Sequence, residues 1–594
     1  MQNLNWIDWA VLITTLLTIV LYGTWQTRGS KNVKDYLKGG NTSKWWTIGL
    51  SVMATQASAI TFLSTPGQAF NDGMGFVQFY FGLPIAMIII CMVFIPLYYR
   101  LNVYTAYEFL ENRFDLKTRT LTAILFLIQR GLAAGITIFA PAIILSVVLG
   151  WDLLTLNIAI GFLVIIYTVS GGTKAVNVTQ KHQMIVIFIG MLVAFFIIVA
   201  KLPQDITFSK ALDIAGASGK MNILDFSFNL NNRYTFWSGI IGGTFLMLSY
   251  FGTDQSQVQR YLSGKSVKEM QLGLIFNGLL KVPMQFFILL VGVMVFVFYQ
   301  FNEAPLNFNP TATELVLNSE YSADFKKLQQ EQQENFKDKQ LQINNFVTNS
   351  PTENTSKSIA LANKSNTEIR NQAKILIDKA AEKQDIKVES NDKDYVFIYF
   401  ILNNLPRGLI GLLLAVILSA AMSSTSSELN ALGSTTTIDL YKRNTSEKTE
   451  EQMVKASKWF TFAWGIMAIS VACIANLFEN LIQLVNIIGS IFYGNVLGIF
   501  MIAFFFKLIK GQAVFISALV TQVIVISLFL LNQYDIINLP FLWLNFVGCI
   551  LAIMFAMIID YKRISKSDKM ILIFLMVLFS CFSYLILKNS NLLY

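Results

Sequence analysis

Five consecutive hydroxyl side chains lie midway along one long apolar stretch, residues 408–443. They are Ser423, Ser424, Thr425, Ser426 and Ser427. Hydroxyl groups do not ionise, but their oxygen lone pairs suit hard cations. In a helix, residues 423, 426 and 427 share one face. The run therefore predicts an ion site inside a membrane helix. The alternative is close helix packing, because small residues let membrane helices approach and serines bond back to their own backbone.

The composition indicates a polytopic membrane protein. Hydrophobic residues make up 54% of the chain and charged residues only 14%, whereas soluble domains carry about 25% charged residues. The net charge of +9 fits basic cytoplasmic loops and requires no nucleic acid. The four cysteines lie in apolar stretches and are interpreted as packing residues. With one histidine, His182, the chain has no multi-histidine site. We expect sodium as the only metal and no other cofactor.

Apolar segments predict an all-α protein of about fourteen spans, each long enough to cross ~30 Å of hydrocarbon. They lie near residues 6–24, 46–68, 76–98, 120–148, 153–170, 182–200, 236–256, 270–300, 407–438, 456–477, 481–507, 512–531, 541–560 and 570–587. The first segment has no basic residue before it and no small-residue cleavage site after it. We therefore interpret it as a retained span rather than a signal peptide.

Basic residues alternate between connections and predict the orientation. They gather at 28–44, 100–119, 174–181, 260–268, 442–458, 507–510 and 562–569. The intervening connections 69–75, 149–152, 478–480 and 532–540 hold no Lys or Arg. The positive-inside rule places the first set in the cytoplasm. We expect a multi-pass protein of the cell (inner) membrane, with both termini and the long connection 301–395 on the extracytoplasmic side.

The connection 301–395 is polar and near neutral, and its role and partner cannot be derived from the sequence. Segments 322–343 and 358–384 have a helix-forming composition. Their apolar residues stand at helical spacing, namely Phe325 and Leu328 in the first segment and Ile369, Ala373 and Ile377 in the second. A protruding helical pair and a solvated tether both fit this pattern.

Two predicted spans contain interruptions. The second carries Gly49, a polar stretch and Pro66-Gly67, and the seventh carries several glycines. Irregular backbone at membrane depth is tolerated where it lines a cavity or is buried in protein. Interrupted spans five apart predict an inverted five-helix repeat with a binding site between its halves. The resulting divisions are 1–45 (first span and loop), 46–200 (first repeat), 201–300 (start of the second repeat), 301–395 (insertion), 396–510 (rest of the second repeat) and 511–594 (C-terminal spans).

Three strings resemble the sodium:solute symporter family. They are YTVSGGTKAVNVTQKHQM at 167–184, FGTDQSQVQRYLSGKS at 251–266 and GLLLAVILSAAMSSTSSELNALGSTTTIDLYKR at 411–443. The resemblance implies a leucine-transporter-type fold, alternating access and a sodium ion between the second and ninth spans. The insertion 301–395 departs from the family pattern, which has a much shorter loop there.

The resemblance also implies the ion ligands. The sodium ion would be held by the backbone carbonyls of Ala54, Ala57 and Ala420 and the hydroxyls of Ser423 and Ser424. Some family members hold a second sodium with an aspartate in the sixth span. This chain has Gln180 there, beside Ser426 and Ser427 as the other candidate ligands. Because an amide carries no charge and Lys181 is adjacent, we expect a single coupled sodium.

Substrate contacts are implied by the same resemblance, with Tyr250 as the inner gate. They are Ser58, Thr61, Gln78, Arg130, Met247, Lys281 and Asn486. Arg130 and Lys281 lie deep in their spans, where charge is functional by default. The nearest acids, Asp254 and Glu428, lie toward the cytoplasmic side in the sequence. Two deep cations without an acid at their own depth predict a carboxylate on the substrate.

The predicted function is sodium-coupled import of an organic acid, such as the acidic sugar sialic acid. A neutral-monosaccharide symporter is the alternative cargo class. A sensor or scaffold that binds a partner through 301–395 is the alternative outside transport. The sequence shows no filter-like loop of the kind that an ion channel needs. It also shows no catalytic pair of the kind that an intramembrane enzyme needs. The expected partners are the solute, sodium and the lipid bilayer.

Overall fold

The computed structural model describes residues 4–26, 39–230, 232–348, 353–386, 388–445, 448–474 and 480–590. Within these ranges the chain is helical, and the β-structure is one isolated bridge between Ser43 and Gly264. The all-α prediction is confirmed. Most of the predicted basic loop 28–44 and of the connection 478–480 lies outside the described residues.

The helices are numbered in chain order. The first repeat and the segment before it contain α1 (Trp6–Gln26), α2 (Trp45–Gln56), α3 (Ala59–Asp72), α4 (Met74–Leu101), α5 (Glu108–Arg113), α6 (Leu116–Leu149) and α7 (Leu153–Ala200). They are followed by α8 (Phe208–Ala217), α9 (Ser238–Gly252), α10 (Gln255–Leu262), α11 (Val267–Phe301), α12 (Pro310–Leu317), α13 (Ser322–Thr348), α14 (Glu353–Gln384) and α15 (Val396–Asn404). The last are α16 (Leu409–Tyr441), α17 (Glu450–Ile474), α18 (Leu481–Phe505), α19 (Gly511–Gln533), α20 (Phe541–Ile559) and α21 (Lys566–Asn589).

Among the described residues, 10 helices are long and apolar enough to cross a membrane, or 11 when the bent pair α2–α3 is counted as one span. Three shorter apolar helices cover Trp6–Thr18, Leu153–Ile166 and Ser238–Gly252. Each of these helices overlaps a span predicted from the sequence. The number of crossings stays a prediction.

Helix α7 covers two predicted spans and the predicted loop 174–181, which is helical rather than irregular. Asn157 Nδ2 donates to Ala472 O at 3.2 Å, near the end of α17. Gly190 faces Leu413, near the start of α16. The two ends of α7 therefore contact two different helices, α17 and α16. The two predicted crossings in this segment stay a prediction.

Both predicted interruptions are present as broken helices. Helices α2 and α3 are bent by 60°, and the backbone leaves the helical region at Ala57. Helix α9 ends at Gly252, and Asp254 caps the start of α10. Pro66 and Gly67 do not make the first break, since they lie inside α3. A Cβ at Gly67 would lie 1.8 Å from Lys393 O, so the glycine allows close packing.

The insertion folds as a helical pair, α13 and α14, which we call the hairpin. Phe325, Leu328, Ile369, Ala373 and Ile377 lie in its small apolar core, as their spacing predicts. The helical-pair prediction is confirmed, and the solvated-tether alternative is wrong. The hairpin also contacts the membrane bundle, because Gln340 Nε2 donates to Phe301 O at 3.3 Å.

Candidate functional site

The hydroxyl run lies in the middle of α16 and is completely buried. Several of its hydroxyl groups bond back to their own helix, as serines in membrane helices commonly do. Ser424 Oγ donates to Ala420 O at 3.1 Å, and Ser427 Oγ donates to Ser423 O at 3.1 Å. Helix packing therefore accounts for part of the run, as the alternative interpretation holds.

Ser423 is different, since its Oγ is buried and has no hydrogen-bond partner among the described residues. A buried hydroxyl without a partner costs about 1–3 kcal/mol, so this oxygen fits a role as an ion ligand. Helix α16 packs against both α2 and α3, the two halves of the broken span. Thr55 Oγ1 lies 3.4 Å from Ser427 Oγ, which shows that the hydroxyl run reaches the break.

The predicted sodium ligands belong to segments that meet in this region. Ala54 and Ala57 flank the end of α2, and Ala57 has the non-helical values φ −88 and ψ 71. Ala420, like Ser423 and Ser424, is at most 2% exposed. Carbonyl and hydroxyl oxygens are the donor set that a monovalent cation needs. The residues present fit a sodium ion, and sodium binding stays a prediction.

Gln180 reaches into the same region from α7. Its Oε1 accepts from Ser51 Oγ at 2.5 Å. Its Nε2 donates to Thr55 Oγ1 at 3.1 Å and to Ser427 Oγ at 2.9 Å. Ser426, the other candidate for a second ion, donates to Ser423 O at 2.9 Å. An amide nitrogen thus lies among the oxygens that a second cation would use.

A cavity of about 80 Å³, the central cavity, lies beside the break of α2 and α3. Six of the eight predicted substrate and gate residues line it: Ser58, Thr61, Arg130, Met247, Tyr250 and Asn486. The structure therefore brings most of the predicted substrate set together. Their contact with a substrate stays a prediction.

Gln78 and Lys281 do not line this cavity. Gln78 lies in a wider opening of about 780 Å³, the vestibule. Its Nε2 donates to Tyr234 O at 2.9 Å, and its Oε1 accepts from the Asp225 N–H at 2.9 Å. Lys281 is fully buried, with Nζ 5.8 Å from the ring centroid of Tyr80. Tyr80 itself lines the central cavity, so Lys281 lies near the cavity without lining it.

Arg130 is held by two carboxylates. Its Nη1 donates to Glu428 Oε1 at 3.0 Å, and its Nη2 donates to Asp254 Oδ2. The sequence-based prediction that this cation has no acid at its own depth is therefore wrong. Asp254 lies in the break between α9 and α10, which brings it to the arginine. One cation between two acids leaves no surplus positive charge for a substrate carboxylate.

Several residues at the cavity were not predicted as site residues. Tyr493 donates to Asp254 Oδ2 at 3.0 Å and accepts from Arg130 Nη2 at 2.5 Å. It comes from the apolar helix α18, where no sequence signal marks it. Gln56 also lines the cavity, and its Nε2 lies 3.9 Å from Met247 Sδ. Gln56 stands in the polar stretch of the broken span, and that position is a signal that could have found it.

The start of α3 provides a second polar feature. Ser58 precedes the helix, and Ser58, Ile60 and Thr61 all line the central cavity. The first N–H groups of a helix have no partner within it. They carry the positive end of the helix dipole, which favours an anion.

Comparisons with known proteins agree with this architecture. Residues 36–323 and 376–521 match the model of the sodium:solute symporter family, so most of the hairpin falls outside the match. Sodium-coupled monocarboxylate transporter 1 of Xenopus laevis is 34% identical over 46% of this chain and 43% of its own length. The human sodium/iodide cotransporter is 32% identical over 49% of this chain and 45% of its own length.

A longer match, to the sodium-dependent multivitamin transporter of Oryctolagus cuniculus, is 26% identical over 84% of this chain and 66% of that protein. The matched part of the chain thus spans less than half the length of the first two relatives. Among solved structures, a Na⁺-coupled sialic acid symporter in a substrate-bound outward-open state superposes with a TM-score of 0.71. Its sequence identity is 24%, over 93% of this chain and 97% of that one. This likeness shows the transporter fold.

Proposed function

We propose that this chain, which belongs to the sodium:solute symporter family, is a sodium-coupled symporter that imports a small organic solute by alternating access. The observation that carries the proposal is the unpartnered, buried hydroxyl of Ser423 beside the break of α2 and α3. A broken helix next to a buried oxygen cluster is the arrangement in which such transporters hold their coupling ion.

The proposed ion site contains no carboxylate. Backbone carbonyls of Ala54, Ala57 and Ala420 and the hydroxyls of Ser423 and Ser424 would surround the ion. Neutral oxygens hold a monovalent ion weakly enough for release on the other side. Sodium, when bound, supplies the positive charge that links the broken helix to α16. Without it, the two repeats lose that link and can change their relative position.

We propose one coupled sodium per transport cycle. Gln180 Nε2 donates to both Thr55 and Ser427, so their hydroxyl oxygens already accept a hydrogen bond. A second cation at Gln180, Ser426 and Ser427 would have to displace this amide. As a ligand for that cation, the amide could then offer only its uncharged oxygen.

For the cargo, we propose a small organic acid. The first N–H groups of α3, apart from that of Thr61, which donates to Ser58 O at 3.0 Å, would offer donors to a carboxylate, as would the hydroxyls of Ser58 and Thr61. Gln56 and Asn486 add amides at the same cavity. A cavity of about 80 Å³ suits a short acid better than a sugar acid such as sialic acid. The monocarboxylate transporters among the relatives support this size class.

A neutral monosaccharide is the second candidate cargo. It is favoured by the two carboxylates that already neutralise Arg130. The cavity also has aromatic walls at Phe79, Tyr80 and Tyr250 beside its hydroxyl and amide groups. Apolar walls with a few placed polar groups are typical of small-molecule sites in general.

We propose that the protein lies in the cell membrane with both termini and the hairpin outside. The support is the distribution of Lys and Arg over alternate connections. A cysteine substituted in the hairpin should react with an impermeant thiol reagent added to intact cells. Reaction only after the cells are opened would reverse the orientation.

Uptake into proteoliposomes tests the function. Labelled lactate, propionate, sialic acid and glucose are offered with an inward sodium gradient, with a potassium gradient and without a gradient. We expect concentrative uptake of a short acid only with the sodium gradient. Sodium-driven uptake of glucose alone would select the second candidate. Binding of solutes without any gradient-driven uptake would favour the sensor or scaffold interpretation.

A further inference from the structure

A second cavity, of about 270 Å³, lies between the hairpin and the ends of α3 and α11. We call it the hairpin cavity. Its walls include residues of both hairpin helices, Asn71 and Asp72 of α3, and Gln300 of α11. Most of the hairpin falls outside the family match. The cavity is therefore built in large part by the segment that distinguishes this chain.

Cations outnumber acids around this cavity. The lining cations are Lys220, Lys339, Arg370, Lys374 and Lys393, and the lining acids are Asp72 and Glu303. Three of the cations are paired, although two of them share one carboxylate. Arg370 and Lys374 both pair with Asp392, and Lys393 Nζ lies 3.0 Å from Asp72 Oδ2.

Lys339 and Lys220 form no salt bridge in the part of the chain that the structure describes, although the charge of Asp72 acts on Lys220. Lys339 is 4% exposed, and its Nζ lies 5.5 Å from the ring centroid of Phe336. Lys220 donates to Asn71 O and lies over the ring of Phe296 at 4.9 Å. Burial lowers the pKa of each ammonium group to about 8. A buried ammonium without a counter-ion is costly, and an anion in the cavity would relieve that cost.

The other residues that line the hairpin cavity are of the kinds that bind organic solutes. Amide side chains, including Asn335, Asn363 and Asn366, alternate with the aromatic rings of Phe70 and Phe336. Gln300 Oε1 is buried without a hydrogen-bond partner among the described residues, so it can accept from a ligand. The volume is several times the roughly 30 Å³ of a water molecule in the liquid. A bare inorganic ion would leave most of it unfilled.

We propose that the hairpin cavity binds a small organic carboxylate that also carries hydroxyl or amide N–H groups, with Lys339 and Lys220 as its counter-ions. Two point-charge ammonium groups provide the attraction. Gln300 and the asparagines bind the polar part of the ligand, and the aromatic rings cover its apolar part. This site is separate from the central cavity and does not depend on the proposed transport function.

The cavity adjoins the vestibule, since Asp72 and Lys393 line both. The bound acid has two potential sources. It is either the transported solute, held on its way to the vestibule, or a separate acid that acts on the transporter. The chemistry of the site is the same in both cases, and the uptake measurement below distinguishes them.

The test uses the purified full-length protein in nanodiscs and in sodium-free buffer, so that the central site is not loaded with its coupling ion. Calorimetry measures binding of lactate, gluconate and glucuronate against their uncharged counterparts lactamide, glucitol and glucose. Lys339→Met removes the charge but keeps an unbranched apolar side chain. Lys357→Met is the matched control, since Lys357 is an exposed cation of the same hairpin that pairs with Glu353.

We expect at least one acid to bind tenfold more tightly than its uncharged counterpart. Lys339→Met should abolish that difference, and Lys357→Met should retain it. Equal affinity for acid and counterpart in the unmodified protein would overturn the proposal. So would an unchanged preference in the variant Lys220→Met/Lys339→Met, provided that its thermal unfolding midpoint matches that of the unmodified protein.

Proteoliposome uptake of the acid that binds then identifies its source. If it is transported, Lys339→Met should raise its KM and leave kcat unchanged. If it is not transported, it should alter the uptake of another solute, and Lys339→Met should remove that effect. Either result supports the site. If neither the acid nor Lys339→Met changes KM or kcat of uptake, the site has no role on the entry path.

Discussion

Gln180 Nε2 lies 2.9 Å from Ser427 Oγ and donates a hydrogen bond to it. This contact joins α7 to the hydroxyl run of α16. A second contact, to Thr55 Oγ1 at 3.1 Å, joins the same amide to the broken span. The N–H groups of this amide therefore connect three helices, α7, α2 and α16. A cation bound at the same place would make that connection through its charge. The relationship bears directly on how many ions the protein couples.

A single coupled sodium should be visible in the transport stoichiometry. One sodium with a monoanion is electroneutral, whereas two sodium ions with a monoanion move one net charge. Each elementary charge gains about 2.3 kcal/mol per 100 mV, so the two cases respond very differently to voltage. We expect a Hill coefficient near one for sodium and no voltage dependence with an acid as substrate.

Gln180→Asp provides the matching gain of function. It places a carboxylate between Thr55 and Ser427 and should raise the Hill coefficient for sodium toward two. Reversal potentials at a fixed substrate gradient measure the coupling ratio. Two sodium ions per substrate in the unmodified protein would show that the amide does not replace the second ion.

Removal of one sodium ligand should weaken sodium activation. Ser423→Ala deletes the unpartnered hydroxyl, and Ser424→Ala deletes its neighbour. A lost contact to a charged group is worth about 1.5–3 kcal/mol, so the sodium concentration for half-maximal uptake should rise by about tenfold or more. Thr425→Ala is the control, since Thr425 is not among the proposed ligands and its hydroxyl bonds back to Ala421 O at 2.9 Å. Unchanged sodium dependence in both serine variants would exclude this ion site.

Arg130 should behave as a structural residue more than as a substrate ligand. Arg130→Gln leaves the carboxylates of Asp254 and Glu428 buried without their cation. Breaking such a buried pair costs about 3–5 kcal/mol, so the thermal unfolding midpoint of the purified protein should fall clearly. The double variant Arg130→Gln/Glu428→Gln removes one stranded charge and should recover part of that loss.

A direct role of Arg130 in substrate binding would give a different result. If Arg130→Gln retains the unfolding midpoint but raises KM for an acid by one to two orders of magnitude, the arginine contacts the substrate carboxylate. The structure would then have to release at least one of the two acids when the substrate binds.

Local patterns predicted much of this molecule. Apolar length located the spans, and the polar stretch with Ser58 and Thr61 located the broken helix. Helical spacing in the insertion identified Phe325 and Ile377 as core residues of the hairpin. These features depend on residues near one another in the chain, where periodicity and helix length operate directly.

Contacts between distant segments were not predictable in the same way. Arg130 and Asp254 stand 124 positions apart, and the break between α9 and α10 brings the acid to the arginine. Because of this break, the depth of Asp254 in the membrane cannot be obtained by counting positions along a straight helix. Tyr493 likewise lies in an apolar helix with no local signal. Gln78 and Lys281 stand in polar or deep positions, but only the packing shows that neither lines the central cavity and that Gln78 donates to Tyr234 O instead.

Carboxylate binding in the hairpin cavity should weaken as the pH rises from 7 to 9. Burial lowers the pKa of Lys339 and Lys220 from 10.5 to about 8, so the charged forms are lost over this range. A group with a pKa of about 8 is about 90% charged at pH 7 and about 10% charged at pH 9. If only the charged form of Lys339 binds the acid, affinity should fall by about tenfold, while the ligand carboxylate stays ionised throughout.

The other charged groups at the cavity are Arg370, Lys374 and Lys393 and the acids Asp72, Glu303 and Asp392. The paired cations among them should contribute less, because each lies against a carboxylate, which Arg370 and Lys374 share. Calorimetry at pH 7, 8 and 9 measures the effect, and proton uptake at pH 8 should accompany binding, since the bound anion raises the pKa of the lysines. The variant Lys220→Met/Lys339→Met should show a flat pH profile. A fall of the same size in that variant would assign the titration to another group and remove the two lysines as counter-ions.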